Sequence, residues 1–223
     1  MYKHYTLPHG ITLPIGTMYC IGKNYAAHAK EMGGEVPPSP MVFLKPPSSY
    51  LPHGSMLALP SFSSNVHHEV ELVVLIGTDC ADVPPEQAHS VIAGYAVGLD
   101  ITLRDIQAQA KQRGEPWAVA KGFRGSAPIS PFVPPTDDPF PDFELFLTVN
   151  GRVRQQGSTA MMERSTADLI AYLSSVFTLR AGDVIFTGTP EGVSAITHGD
   201  RLHAELRTLH SAHVLSELDV VIE

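Results

Sequence analysis

The sequence predicts a β-rich α+β fold, and three observations carry that reading: short apolar runs bounded by Gly, Pro or Asp, one strong hairpin turn, and few stretches with helical periodicity. The strand-like runs lie at residues 41–44, 69–76, 93–99, 143–149, 184–186 and 201–206. The pair Asn150-Gly151 stands between two strand-like stretches and predicts a hairpin. Helical periodicity is clearest over 165–177, where Leu169, Ile170, Leu173 and Val176 form one apolar stripe and Ser165 or Thr166 is the N-cap. A second helix is predicted over 100–113, ended by Gly114 and Pro116, and a third, short one within 22–34, capped by Asn24 and stopped by Gly33 or Gly34. The Pro-rich segments 37–40, 46–60 and 128–141 read as loops around one scaffold.

Composition narrows the function classes. The chain has 223 residues, 43% of them hydrophobic and 17% charged, enough to bury a core. Its 15 Lys+Arg against 23 Asp+Glu give a net charge of -8, which argues against nucleic acid or an anionic membrane as the main partner. A local cluster of cations with a metal still suits an anionic small molecule. Cys20 and Cys80 form no CxxC pair, which fits a reducing cytoplasm. The first residues lack the apolar core of a signal peptide, and the longest apolar run, 70–77, is interrupted by Glu71 and too short to span a bilayer. The expectation is a soluble, cytoplasmic protein.

The sharpest chemical feature is His67-His68-Glu69-Val70-Glu71-Leu72. On a strand Glu69 and Glu71 project from the same face, while Val70, Leu72 and Val74 turn to the core. Two adjacent carboxylates repel, and a hard divalent cation removes that penalty. The competing reading is a solvated acidic edge. Asp100, at the end of an apolar strand, adds a third oxygen ligand, although an Asp in that position is more often a helix N-cap. His28 and Glu31 stand three apart on the short helix, the arrangement that orients a general base, and also that of an ordinary surface ion pair. Lys45 and Lys121 each end an apolar run, where snorkelling to the surface is the default. The turn around Thr187-Gly188-Thr189 offers N–H groups and a hydroxyl to a carboxylate, or is simply a tight turn. His67 and His68 suit packing roles better than ligation of a softer metal. Phosphate-loop, nucleophile-elbow, dinucleotide and HExxH zinc motifs are absent from the sequence.

In order and spacing, Ile21-Gly22-Lys23-Asn24-Tyr25-Ala26-Ala27-His28, Phe43-Leu44-Lys45-Pro46, His67-His68-Glu69-Val70-Glu71-Leu72, Gly98-Leu99-Asp100-Ile101-Thr102-Leu103-Arg104-Asp105, Trp117-Ala118-Val119-Ala120-Lys121 and Thr187-Gly188-Thr189-Pro190-Glu191-Gly192-Val193 resemble the fumarylacetoacetate hydrolase family. The likeness spans residues 19–206 and is strongest to its short acylpyruvase and oxaloacetate-decarboxylase branch. It implies a mixed β-sandwich roll with a few short helices: an extension over 1–18, then one catalytic domain over 19–223 with a mobile lid near 22–34. It implies Mg2+ or Mn2+, with Ca2+ as a stand-in, on Glu69, Glu71 and Asp100. The dyad His28–Glu31 would sit on the lid, Lys121 and Gln107 at the reacting carbonyl, and Thr189 with Gly188 at the substrate carboxylate. Arg104 and Lys45 would line or support the site, and the assembly would be a homodimer.

The activity so implied is cleavage of a C–C bond in an acylpyruvate such as fumarylpyruvate or acetylpyruvate, giving pyruvate and a carboxylic acid. In that scheme the metal is Lewis acid and template, His28 draws a proton from water, and Lys121 with Gln107 steadies the oxyanion. Decarboxylation of oxaloacetate, or tautomerisation or isomerisation of a related 2-oxo acid, is the alternative at the same site. A Mg2+-dependent phosphoryl-transfer enzyme and a non-catalytic metal- or anion-binding module are more distant readings.

Overall fold

Val70–Ile76 is apolar at every position but Glu71, and a strand of that composition demands cover on both faces. The computed structural model describes every residue except Met1, His210 and Ala212, and provides that cover. Val70–Ile76 is the middle strand of a seven-stranded mixed sheet ordered Met41–Lys45, Met18–Gly22, Val184–Phe186, Val70–Ile76, Ile92–Leu99, Ala127–Ile129 and Tyr50–Pro52. A five-stranded sheet is ordered Arg152–Ser158, Phe143–Val149, Arg201–Thr208, Val214–Ile222 and Ser55–Leu57. Thr102–Leu103, Val66–His68 and Ser194–Ile196 form a three-stranded sheet, and His4–Thr6 pairs with Thr12–Pro14.

The two large sheets bury a common core. Val70, Leu72 and Val74 meet Leu145, Leu147, Leu206, Leu218 and Val220 from the second sheet. On the opposite face Val73 and Leu75 share a smaller core with Tyr5, Leu7 and Ile15 of the N-terminal hairpin. Each such fully buried aliphatic side chain contributes about 1.5–3 kcal/mol. Strict alternation in Phe143–Val149 follows from its position, with Phe143, Leu145, Leu147 and Val149 inward and the residues between them partly exposed. The predicted hairpin forms at Asn150 (φ 53°) and Gly151 (φ 74°), the left-handed pair that matches strand twist.

Four α-helices punctuate the described residues: α1 (Ala26–Glu31), α2 (Arg104–Arg113), α3 (Ala118–Lys121) and α4 (Thr166–Val176). A capping box starts α4, Ser165 Oγ accepting from Asp168 N–H and the Asp168 carboxylate accepting from Ser165 N–H. Its inner stripe is Leu169, Ile170 and Leu173; Val176 is exposed, because Phe177 takes the core position beside Tyr19 instead. Gly114, left-handed at φ 67°, stops α2. Among the described residues no helix is long and apolar enough to cross a membrane.

Local expectations needed correction in three places. The helix predicted over 100–113 begins only at Arg104, because Thr102–Leu103 is drawn into pairing with Val66–His68, so Asp100 is no N-cap. Asn24 does not cap α1; its amide instead spans to Arg164 O (3.0 Å), Thr187 O (2.9 Å) and Arg164 N (3.0 Å). The Pro-rich stretches 46–60 and 128–141 hold strands rather than loops alone: Tyr50–Pro52 and Ser55–Leu57 lie at sheet edges, the position that tolerates proline, and Ala127–Ile129 lies one strand further in, paired with Tyr50–Pro52.

On the second sheet His203 faces Asp219 (Nδ1, 2.8 Å) and Glu205 (Nε2, 3.1 Å). Partial burial alone lowers its pKa, but the two carboxylates outweigh it and raise the imidazole above its ordinary 6.5. The stabilisation is therefore full below 6.5 and lost as pH rises through the elevated value. The melting-temperature gap between the native chain and His203→Gln is predicted to be widest near about pH 6 and to close towards about pH 9. A gap that widens with pH would contradict this pairing.

Candidate active site

Register brings the three acids together. In the antiparallel pair Val70 stands opposite Leu99, so the next residues outward, Glu69 and Asp100, become neighbours, and Asp100 N–H donates to Glu69 O at 2.8 Å. Glu71, one turn of the pleat inward, lies opposite Gly98. One oxygen from each of Glu69, Glu71 and Asp100 lies within 4.8 Å of the others, and all three residues are buried. The solvated-edge reading is thereby excluded.

Cations surround this cluster. Lys121 Nζ donates to Glu69 Oε2 at 2.8 Å and to Asp100 Oδ2 at 2.6 Å. Lys45 Nζ stands 2.8 Å from Asp100 Oδ1 and donates to the carbonyls of Ile101, Lys121 and Ser126. Arg104 holds the other Glu69 oxygen with Nη2 and Gln107 Oε1 with Nη1. The two lysines are 0% and 3% exposed, so neither snorkels: each is drawn inward by the buried acids.

Burial raises the Glu71 carboxyl, and the charges of Asp100 and Glu69 push it further, well above the usual carboxylate range; Lys121 and the Gly188 N–H (2.7 Å) only partly oppose this. Burial also raises Glu69, but Lys121, Arg104 and His28 more than reverse the effect and hold it well below that range. Asp100 Oδ1, although ion-paired with Lys45, has no aligned hydrogen-bond donor. Oxygen-only ligands, an acceptor without a directed partner and mutual repulsion together fit a hard divalent cation such as Mg2+ or Mn2+.

The acids form the floor of a cleft that also takes in His28, Gln107, Lys121 and Thr189. His28, buried on α1, places Nδ1 3.2 Å from Glu31 Oε2, and Gly192 N–H donates to the same carboxylate at 3.1 Å. Every site residue expected from the sequence thus lies in or against one cleft. Gly188 differs in what it faces, since its N–H points at Glu71.

Sequence reasoning missed a chain of hydrogen bonds behind Thr189. Gln155 Oε1 accepts from Val70 N–H (3.0 Å) and faces His68 Nδ1 (2.8 Å), while its Nε2 donates to Thr189 Oγ1 (2.8 Å) and Pro190 O (2.9 Å). An amide oxygen only accepts, so His68 carries its proton on Nδ1 and accepts at Nε2 from Ser194 (2.8 Å). Burial keeps this imidazole neutral by lowering its pKa. Thr189 must accept from Gln155, which leaves its own proton to be donated into the cleft. In the sequence nothing separates Gln155 from Gln156; only the fold puts it at the one buried position of its strand. Gln155→Leu is predicted to cost on the order of 3 kcal/mol in urea denaturation by orphaning these partners, and a loss below about 0.5 kcal/mol would contradict the network.

A buried carboxylate triad at the floor of a cation-lined cleft, on curled sheets, defines a metal-dependent enzyme site. The family described as Fumarylacetoacetate (FAA) hydrolase C-terminal matches residues 17–214, and the chain belongs to it. It is 47% identical over 206 residues to oxaloacetate tautomerase YcgM of Escherichia coli (strain K12), covering 91% of this chain and 94% of that one. It is 44% identical over 193 residues to the mitochondrial oxaloacetate tautomerase FAHD1 of Homo sapiens, covering 86% and 87%. The crystal structure of fumarylpyruvate hydrolase from Pseudomonas aeruginosa in complex with Mn2+ and pyruvate superposes with a TM-score of 0.89 at 40% identity, covering 98% of this chain and 94% of that one. The strand-rich fold expected from the sequence is that of the family.

Proposed function

We propose that the chain enolises a small 2-oxo dicarboxylate, with the keto–enol interconversion of oxaloacetate as its reaction. The observation that carries this reading is the oriented base: Glu31 beside Nδ1 of His28, a residue that lines the cleft, favours the tautomer whose free lone pair is on Nε2. Two tautomerase relatives that match most of both chains support it. Charge supports it as well. Glu69, Glu71 and Asp100 are offset by Lys45, Lys121 and Arg104, so a divalent cation adds two positive charges that a dianion neutralises.

When bound by Glu69, Glu71 and Asp100, that cation supplies Lewis acidity to the 2-oxo group. The Thr189 hydroxyl donates to the adjacent carboxylate. Lys121 spends two N–H bonds on Glu69 and Asp100 and has a third for the 2-oxo oxygen. Gln107, whose Oε1 is held by Arg104, turns its amide N–H groups to the same oxygen. His28 Nε2 takes a proton from C3, the C–H electron pair forms the C2=C3 bond, the C2=O pair moves onto oxygen, and the His28 imidazolium returns its proton to that oxygen through water, completing the enol and restoring the base. Ketonisation reverses these steps.

Hydrolysis of an acylpyruvate is the second reading, favoured by the likeness to the Pseudomonas aeruginosa hydrolase. There the same base draws its proton from water, hydroxide adds to the distal carbonyl, and the C–C bond breaks to the pyruvate enolate and a carboxylic acid. The purified protein with Mg2+ is to be assayed for enol loss from oxaloacetate and pyruvate release from acetylpyruvate and fumarylpyruvate. Tautomerisation is expected to fall about 100- to 10,000-fold in His28→Ala and to vanish in Glu69→Ala. Acylpyruvate cleavage without catalysed tautomerisation would favour the second reading, and undiminished tautomerisation in both variants would overturn the assignment of the site.

A further inference from the structure

The cleft holds more positive charge than its acids require. Lys45, Lys121 and Arg104 are each paired with Glu69 or Asp100. Lys23 and Lys111 line the same cleft, and among the described residues neither is in an ion pair. In a chain of net charge -8, two unpaired ammonium groups at one opening are a local excess that composition does not predict.

Both lysines are built into place. Lys111 follows Arg104 by seven residues and Gln107 by four on α2, so one face of the helix directs all three towards the cleft. Its Nζ lies 5.2 Å from the ring centroid of Trp117, which also lines the cleft. Lys23 adopts a left-handed backbone, φ 59°, which a non-glycine residue holds only under constraint. Its ammonium passes over Gly34, where a Cβ would come within 2.5 Å of Nζ. Partial burial, the larger cause, and then repulsion from Arg104, Lys23 and Lys121 lower the pKa of Lys111.

We propose that Lys111, assisted by Lys23, forms an anion subsite at the mouth of the cleft that binds the far carboxylate of a dicarboxylate substrate. Thr189 and the acid-rich floor take the 2-oxo acid end, and the lysine pair takes the other. The subsite rests on the proposed reaction in naming the substrate and makes the enzyme select a dianion over a monoanion of equal length. An arriving carboxylate relieves the repulsion between the two ammonium groups, so binding at this end needs no displaced protein partner.

Oxaloacetate and 2-oxobutanoate share a four-carbon chain and differ by that carboxylate, so the pair isolates the subsite. Trp117, the chain's only tryptophan, reports binding of each to the Mn2+-loaded protein by fluorescence, independently of turnover. The native chain is expected to bind oxaloacetate on the order of tenfold or more tighter than 2-oxobutanoate. Lys111→Met, which keeps the apolar stem, is expected to erase that preference without weakening 2-oxobutanoate, and Lys111→Arg to restore it. A preference that survives Lys111→Met, or equal weakening of both ligands, would overturn the subsite. If the preference behaves as expected while no tautomerisation occurs, the subsite stands and the proposed reaction falls.

Discussion

Three carboxylates cannot be buried side by side unless opposite charge is buried with them, and much of the fold follows from that constraint. Removing one ion from water costs several kcal/mol even after a protein relaxes around it. Here the antiparallel register of Val70–Ile76 with Ile92–Leu99 forces Glu69, Glu71 and Asp100 together, so compensation has to come from elsewhere in the chain. Lys45 arrives at the end of an edge strand, Lys121 at the end of α3, and Arg104 in the first turn of α2. The Lys45 ammonium also ties the carbonyls of Ile101, Lys121 and Ser126, so the element that neutralises Asp100 also fixes the loops that carry the other charged groups. Glu71 is left least compensated: burial and the charges of Asp100 and Glu69 raise its carboxyl above the usual range.

Around that floor, hydrogen-bond direction is set from behind. Glu31 orients His28 and is itself held by Gly192 N–H. Arg104 occupies the acceptor of Gln107. His68 and Val70 N–H occupy the acceptor of Gln155, which in turn determines what Thr189 has left to offer. In each case a supporting group takes the atom that would be wrong for the cleft and leaves the useful one facing it. Such preorganisation gives these neutral and weakly charged groups value in a partly dry site.

The legibility of the sequence tracks how local each signal is. Alternation along 69–76 is sufficient to place Glu69 and Glu71 on one face, and the end of the apolar run 94–99 offers Asp100 as a third ligand or as a helix N-cap, a choice the family resemblance tips towards the ligand. That Asp100 neighbours Glu69 depends on strand register, which no local pattern encodes. Local sequence favours snorkelling for the two buried lysines, because the pull on them comes from acids many residues away. Asn24 looked like a helix cap for the same reason: its true partners, Thr187 and Arg164, are distant in sequence. The C-terminal strand Val214–Ile222 carries no clear local signal, because Ser216, Glu217 and Asp219 interrupt its apolar run, although Leu218, Val220 and Ile222 all turn to the core.

Mn2+ binding to the chelator-treated chain, counted by electron paramagnetic resonance, tests the central claim that these three acids form a metal centre. The account predicts one tight site per chain in the native protein, lost in Asp100→Asn and retained in Gln155→Leu, which alters hydrogen bonds behind Thr189 but no carboxylate. Undiminished binding in Asp100→Asn, or none in the native chain, would mean that the triad is held by its lysines and arginine alone and that the site is not a metal centre.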